Sequence, residues 1–595
     1  MSTDTMGSTQ TRLDPVTLAL VQNRLDYISC QMGWVMVRTA RSPIFNQSHD
    51  FSCFVTDRVG TLVSQADGIP IHTGGGGFAV RAILDRFAES GIAEGDVFLL
   101  NDPYVAGGNH LPDWVIARPV FSGERLIAFT CNRAHQSDIG GGVAGTYNPL
   151  ATEIFHEGIR LPPLRLVEAG VVREDLWELL LINTRTPDLL DGDLRAMLGS
   201  TRIGEQQVRD LAESLRPDAV EPFFEGLLDH ADKSLRTAVS ALPDGVYRGE
   251  ERFDNDCFEP MDIPIRVAIT VSGERLRVDF TGTAPQMRGF KNSSLANTYS
   301  AVYAALLSFF DPDIPRNEGT FRCVEIIAPE GTIVNALPPA PVTMCTVFPA
   351  HEIMHACWWA LGQAEPDRAC AGWGKNSFPN SSGRYENGST WVLYHWIGLS
   401  GAGAVAGRDG FNQIGPIVTL GGLSLPNSET YEQLYPVKVR QQEFRCDGGG
   451  AGEFRGGTGV DCVVDLETDV EFSFRSEGVS RPTGLGVNGG LDGRLAALAV
   501  EERSGQAWTP PVYGVCRAGR SRLSISSPGG GGFGDPLVRD PRQVLRDVLD
   551  GTVSPTAARD LYGVVLRSGG DKVDGDATAR RRAAMSERTR STAEG

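Results

Sequence analysis

Apolar positions near the start of the chain recur at helical spacing. Asp14-Pro15 reads as a helix start, an N-cap residue followed by proline in the first turn. Val21, Leu25, Ile28, Met32 and Met36 then fall on one face, which predicts a helix over 16–39. Two pairs of extended segments follow the same logic with a different period. Residues 51–56 and 61–65 flank Asp57-Arg58-Val59-Gly60, and residues 114–121 and 126–131 flank Ser122-Gly123-Glu124-Arg125. Each pair reads as a β-hairpin. Between and after them the pattern predicts a helix over 78–90, a short buried strand over 97–100, an ordered loop over 153–163, helix in two or three pieces over 175–215, and an amphipathic helix over 223–242.

At Pro243-Asp244-Gly245 the period changes from helix to strand. Alternating segments at 246–253, 263–271 and 275–280 predict an antiparallel sheet, followed by a helix over 297–310, a strand over 321–327 and an aromatic-rich buried helix over 349–362. Residues 372–434 show no clear period. From 437 onward short strands are broken by glycine, and short helices are expected at 541–549 and 555–561. The fold class is therefore α+β and multi-domain, mixed helices and antiparallel sheets with a β-rich, Gly-rich C-terminal region. The expected organisation is a disordered N-terminus (1–13), a metal-binding α+β domain (14–242), a central α+β domain (243–436), a β-rich region (437–566) and a disordered tail (567–595).

Composition narrows the function. A chain of 595 residues is too long for one core. A formal charge of −19 argues against nucleic acid or an anionic membrane as partner. No apolar run approaches the roughly 20 residues of a membrane span, and the polar N-terminus has no apolar signal region. The 11 cysteines are scattered singly, without CxxC spacing. These features lead to the expectation of a soluble, cytoplasmic protein.

The candidate chemistry lies at the ends of the second hairpin. His110 and Asp113 precede its first strand, and His135 and Asp138 follow its second. Counting back from the turn sets residues 110–113 across from 134–137, so two imidazoles and at least one carboxylate meet at the open end. Asp50 stands at the open end of the first hairpin, with Asp67 roughly across from it. Imidazole nitrogen and carboxylate oxygen suit Mn²⁺, Zn²⁺ or Fe²⁺, and three protein ligands leave positions open for water or substrate. The candidate ligands are His110, Asp113, His135 and, as a fourth, Asp50. Asp138 is the candidate orienting carboxylate behind a ligand. The plainer alternative is that these residues cap strand ends and tie down loops.

Other motifs compete. His351-Glu352-Ile353-Met354-His355 matches the HExxH pattern of zinc peptidases, but no third ligand stands at a standard offset, and packing in a helix interface is the simpler reading. Residues 484–489 match GxGxxG, yet turn and strand patterns follow instead of a phosphate-binding helix. The glycine clusters at 74–77, 448–450 and 529–532 fit structural turns more readily than anion cradles. Cys30, Cys53 and Cys131 lack basic neighbours and read as core. No GxxxxGK[ST] occurs, so any ATP the chemistry needs is not bound here through a P-loop.

Several ordered segments carry a family resemblance: NDPY–GG–H–D followed by AHQSDIGG, DFSCFVTDRVGTLVSQADGIPIHTG, EGIRLPP, NTRTPDLLDGDLRA, DFTGTAPQ, PRNEGTFR, DGGGAGEFRGGTG and SPGGGGFGDPLVRDP. Together they resemble the hydantoinase B/oxoprolinase family across nearly the whole chain. That resemblance implies an ATP-dependent reaction shared between two subunits in a hetero-oligomer such as α2β2. An A-type ATP-binding subunit phosphorylates an enol or amide oxygen, and the B-type chain completes hydrolysis or carboxylation at a divalent metal, Mn²⁺ or Zn²⁺. The family's H-x-x-D…H metal pattern falls on His110, Asp113 and His135. His351 stands in a helix where the family often carries arginine, and the chain is shorter than acetone carboxylase large subunits. The first departure reads as local drift of HEIMH rather than a second metal site, and the second favours a hydrolase of hydantoins, 5-oxoproline or other lactams over a ketone carboxylase. A zinc peptidase and a non-catalytic scaffold are the readings from other classes.

Overall fold

The hairpin around Ser122-Gly123-Glu124-Arg125 lies at the centre of a seven-stranded sheet. The computed structural model describes residues 14–66, 68–215 and 220–593; the N-terminal stretch expected to be disordered lies outside them. The sheet's strands are β1 (Phe51–Asp57), β2 (Leu62–Gln65), β3 (Val97–Leu100), β4 (Asp113–Ser122), β5 (Arg125–His135), β6 (Leu164–Glu168) and β7 (Val171–Val172). They run in the order β2-β1-β5-β4-β3-β6-β7, each pair antiparallel.

Both faces of this sheet are covered, which is why β3, β4 and β5 are buried at nearly every position. Trp114 and Ile116 of β4 and Cys53 and Val55 of β1 face the main core. Their alternates Val115, Ala117 and Phe54, with Phe98 and Phe129, face a second core under the helix Gly76–Arg86. On the main-core side lie the helices Pro15–Thr39 and Pro187–Leu215. The first of these buries Val21, Leu25, Ile28, Met32 and Met36 and is capped by Asp14, whose carboxylate accepts from Thr17 N, as the pattern implied. No helix among the described residues is long and apolar enough to cross a membrane.

The rest is α+β as expected, with three further sheets among the described residues. A four-stranded sheet of Val324–Ile327, Arg275–Asp279, Pro260–Ser272 and Gly245–Asn255 carries the helix Ala350–Ala364, on which the helix Leu295–Phe309 packs in turn. Residues 372–434 are not merely a loop: Asn380–Arg384 and Thr390–Tyr394 pair with each other, and Asn380–Arg384 also pairs with Val470–Arg475. The boundary expected at 436/437 therefore crosses a sheet, and one continuous core runs from Val21 to Ile525. The end of the chain also differs from expectation. Residues 575–593 form a helix rather than a disordered tail. Its Ala- and Arg-rich composition favours helix, and Arg581 and Arg582 anchor it to Arg559 O, Asp560, Tyr562 O and Arg539 O.

The glycine clusters of the C-terminal region pack on one another. Gly450 N donates to Gly530 O, Gly530 N to Gly457 O and Gly531 N to Gly372 O, so backbones approach with no room for a side chain. A Cβ on Gly530 would lie 1.9 Å from Ala402 O. Gly530→Ala is expected to destabilise by about 3 kcal/mol or more through overpacking. Gly199, inside the helix Pro187–Leu215, has only Val35 within reach of an added Cβ, at 3.8 Å. Gly199→Ala is expected to stabilise by about 0.5–1 kcal/mol. Thermal unfolding of the two variants checks both signs.

Candidate metal centre

A single β-bulge sets the site. At the turn, Ser122 pairs with Arg125 and Phe121 with Leu126; between Val120 and Phe121 the register shifts, so that Val120 pairs with Ala128 and Asp113 with His135. Simple counting from the turn placed Asp113 across from Ala134. Cross-strand partners share a face, so that register would have turned Asp113 and His135 to opposite sides of the sheet. The bulge adds the one residue that brings them together. His110 completes the group from the turn before β4, where its carbonyl accepts from Asp113 N. Asn101 holds that turn by donating to Leu111 O at 2.7 Å.

The three side chains are fully buried and converge. His110 Nε2 lies 2.7 Å and His135 Nδ1 3.2 Å from Asp113 Oδ1. Among the described residues they are the one group of three or more His, Cys, Asp or Glu side chains able to share a metal ion. His110 Nδ1 donates to the Thr343 carbonyl, which fixes the tautomer and leaves Nε2 facing Asp113. His110 Nε2 and Asp113 Oδ2 have no hydrogen-bond partner although both are buried. Orphaned buried polar atoms cost about 1–3 kcal/mol each. A nitrogen and an oxygen left so, beside a second imidazole, are the donor set a divalent cation requires.

The charges fit as well. Burial pushes the Asp113 carboxyl up, but the facing His110, His72 and His135 outweigh it and hold it well below the usual carboxylate range. For His110, burial pushes down while Asp113 and the Thr343 carbonyl push up, and the net shift is upward. Burial keeps His135 below its ordinary value. An ionised carboxylate is therefore ready, and a proton on His110 is the competitor a cation must displace.

His72 was not anticipated. It sits on the short helix Pro70–Thr73, with Nε2 3.5 Å from Asp113 Oδ2 and 3.5 Å from Asp50 Oδ1. Burial pushes its imidazole down to about 4, so it is neutral. Asp50 does not join the three-ligand group; it faces the same His72 Nε2 as Asp113 does, and burial raises its carboxyl to about 6. Asp67 lies outside the described residues. A cavity of about 50 Å³ beside the triad is bordered by Asp50, His72, His135, Tyr147, Tyr394 and Arg475. Tyr147 stacks on the His135 ring at 14° and 5.7 Å, and Tyr394 Oη approaches His135 Nε2 at 3.3 Å.

Asp138 has a different part from the orienting role expected of it. Its carboxylate accepts from Gly140 N, Gly145 N, Thr184 Oγ1 and Arg185 N, and pairs with Arg185 Nη1 at 3.1 Å. These bonds clamp the 140–145 loop onto the residues before the helix Pro187–Leu215 and reach no imidazole of the triad.

The rival motifs fold into structure. His355 Nε2 accepts from Trp373 N at 3.0 Å and its Nδ1 faces Glu251, while Glu352 pairs with Lys375 at 2.6 Å. The HEIMH residues thus belong to a buried charge layer that also holds the Lys291–Glu477 pair. The GxGxxG segment packs against the glycine run, where a Cβ on Gly484 would lie 2.2 Å from Gly529 O, and it opens no helix.

Known proteins share this sequence and fold along nearly the whole chain. The model of the Hydantoinase B/oxoprolinase family matches residues 14–536. The β subunit of caprolactamase from Pseudomonas jessenii is 35% identical over 583 residues, covering 96% of this chain and 99% of that protein. The crystal structure of the ATP-dependent caprolactamase from that organism matches with a TM-score of 0.89 over 96% of this chain and 100% of the other. The B-type subunit of a putative D-/L-hydantoinase from Pseudomonas sp. (strain NS671) is 31% identical over 575 residues, covering 93% of this chain and 96% of that one. The nucleotide-free structure of acetone carboxylase, 20% identical with a TM-score of 0.87 over 97% of this chain and 84% of that one, shares the fold. The chain is a member of the Hydantoinase B/oxoprolinase family.

Proposed function

We propose that this chain is the metal-bearing subunit of an ATP-dependent cyclic-amide hydrolase, acting on a hydantoin, 5-oxoproline or another lactam. The observation that carries the proposal is the buried His110–Asp113–His135 group with its orphaned donor atoms. The full-length similarity to the β subunit of a caprolactamase and the B-type subunit of a hydantoinase supports it. His110 Nε2, His135 Nδ1 and the Asp113 carboxylate would hold Mn²⁺ or Zn²⁺. Such a cation polarises a carbonyl-type oxygen and lowers the pKa of water. An A-type partner, using ATP, phosphorylates the amide oxygen and makes the ring carbon a better electrophile.

The chain's own residues supply the rest. Asp113 would serve the cation, and the neutral His72 presents one Nε2 to both Asp113 and Asp50. Asp50 borders the cavity on the open side of the triad and is placed to take a proton from the attacking water. Tyr394, Trp396, Leu399 and Val418 form an apolar wall suited to a hydrocarbon ring. The side chains around the cavity, His72, His135, Tyr147, Tyr394 and Arg475, are buried, and low exposure to water strengthens each of these interactions.

Three outcomes are expected of the chain assembled with its partner. Wild type retains about one equivalent of divalent metal by elemental analysis, and His110→Ala loses it together with at least about 100-fold of lactam-dependent activity. Asp50→Asn keeps the metal but loses about 100-fold or more in kcat, the contribution of a positioned base; unchanged kcat removes Asp50 from the reaction. His355→Ala keeps its metal equivalent while lowering the melting temperature, because it strands Glu251 and Trp373 N–H in the interior. Metal loss in His355→Ala with full retention in His110→Ala would instead favour the HExxH reading.

A further inference from the structure

One charge in the cavity is answered by nothing in the protein. Arg475, the last residue of the strand Val470–Arg475, is buried and only 3% exposed. Its Nη2 donates to Asn380 Oδ1 at 2.9 Å, and its Nη1 faces only the Met344 sulfur at 3.8 Å. Its Nε has no acceptor. The guanidinium lies over the Tyr147 ring at 3.8 Å and near Phe378 at 5.4 Å. Among the described residues it forms no ion pair, and Asp50, which borders the same cavity, acts on it only at a distance. Of the other buried cations, Lys291 and Lys375 each sit on a carboxylate at 2.8 and 2.6 Å and Arg539 holds Asp409 and Asp547, while Arg133, also without an ion pair, is spent on His72 O and Asn109 Oδ1 and does not line this cavity.

An unpaired buried guanidinium is costly, and the usual resolution is an anion. Arginine's planar fork matches the geometry of phosphate and carboxylate oxygens. The position is also specific. Tyr147 touches both the guanidinium and the stacked His135 ring, so one aromatic side chain spaces the positive group from the metal ligands. Asn380, which orients the guanidinium, also donates to Gly145 O and so joins it to the loop that Asp138 clamps.

We propose that Arg475 is the oxyanion-binding residue of this cavity and that its ligand is the phosphoryl group of the activated substrate. Resting on the cyclic-amide reading for the identity of that substrate, the proposal assigns the arginine a positioning task. It holds the phosphoryl oxygens while the ring carbon faces the His110–Asp113–His135 centre. The same fork would equally accept a carboxylate carried by the substrate itself, as in a 5-oxoproline-type ring, and the two sources are separable by experiment.

The direct test is calorimetric titration of the full-length, metal-loaded chain with inorganic phosphate. Wild type is expected to bind, Arg475→Gln to bind at least about tenfold more weakly, and Arg475→Lys to fall between, because it keeps charge but loses the fork. Titration of His110→Ala separates phosphate held by the arginine from phosphate held by the metal, and the metal content of each Arg475 variant reports whether the centre stays intact. Should Arg475→Gln fail to fold, Asn380→Ala carries the test, with weakened phosphate binding at unchanged metal content. No binding by wild type, or equal affinity in wild type and the Arg475 variants, overturns the proposal. Because this readout needs no turnover, it stands or falls separately from the cyclic-amide reading. In the assembled enzyme, the phosphoryl assignment predicts that Arg475→Gln raises KM or lowers kcat about tenfold or more for uncharged and carboxylate-bearing lactams alike. A defect confined to the carboxylate-bearing lactams overturns the phosphoryl assignment in favour of substrate carboxylate.

Discussion

The Asp113 carboxylate is the point on which the centre depends. It is fully buried, and three imidazoles approach it: His110 at 2.7 Å, His135 at 3.2 Å and His72 at 3.5 Å. A carboxylate in that position is stable only if opposite charge or hydrogen-bond donors remain close. The fold keeps them close with three separate devices: a bulge that aligns β4 with β5, a turn that folds His110 back over the start of β4, and a short helix that lowers His72 onto the other oxygen. None of these devices belongs to a recognisable motif, and together they define an asymmetric pocket, closed on the protein side and open towards the cavity.

Around this point the chain divides its charged residues into two kinds. The layer built from Glu251, Glu352, Glu477, Lys291, Lys375 and His355 is internally paired. It joins the helix Ala350–Ala364 to the central sheet and the C-terminal region, and its chemistry is used up by its own partners. The cavity beside the triad is different. Its Asp50 carboxyl is raised to about 6 by burial, its His72 is neutral, and its Arg475 has no counter-charge. Incomplete pairing among converging donor atoms marks where a ligand belongs; in HEIMH the His351 nitrogens also lack hydrogen-bond partners, but among the described residues no group of three ligands forms around them.

Much of this was legible in the sequence because it is local. The helix Pro15–Thr39, the two hairpins and the period change at Pro243 follow from residue spacing alone, and counting along one hairpin brings the three residues of the triad to the same end of it. What escaped was either a one-residue effect or a long-range one. The bulge at Val120 leaves the hydrophobic alternation readable on both sides, so nothing in the sequence announces it. His72 and Arg475 reach the cavity from segments distant from the hairpin, and a single histidine or arginine carries no spacing signal. Asp138 was misjudged for the converse reason: nearness in sequence to His135 suggested a shared task, whereas Thr184 and Arg185 compete for its oxygens. Residues 380–394 hid their strands because their partner, residues 470–475, lies far along the chain.

The central claim is that His110, Asp113 and His135 hold a divalent ion. Anomalous scattering from crystals of the metal-loaded protein, measured on both sides of the metal's absorption edge, tests it most directly. The account predicts one strong peak within bonding distance of His110 Nε2, His135 Nδ1 and an Asp113 oxygen. A peak at His351 and His355, or metal-loaded crystals with no peak at the triad, would contradict it.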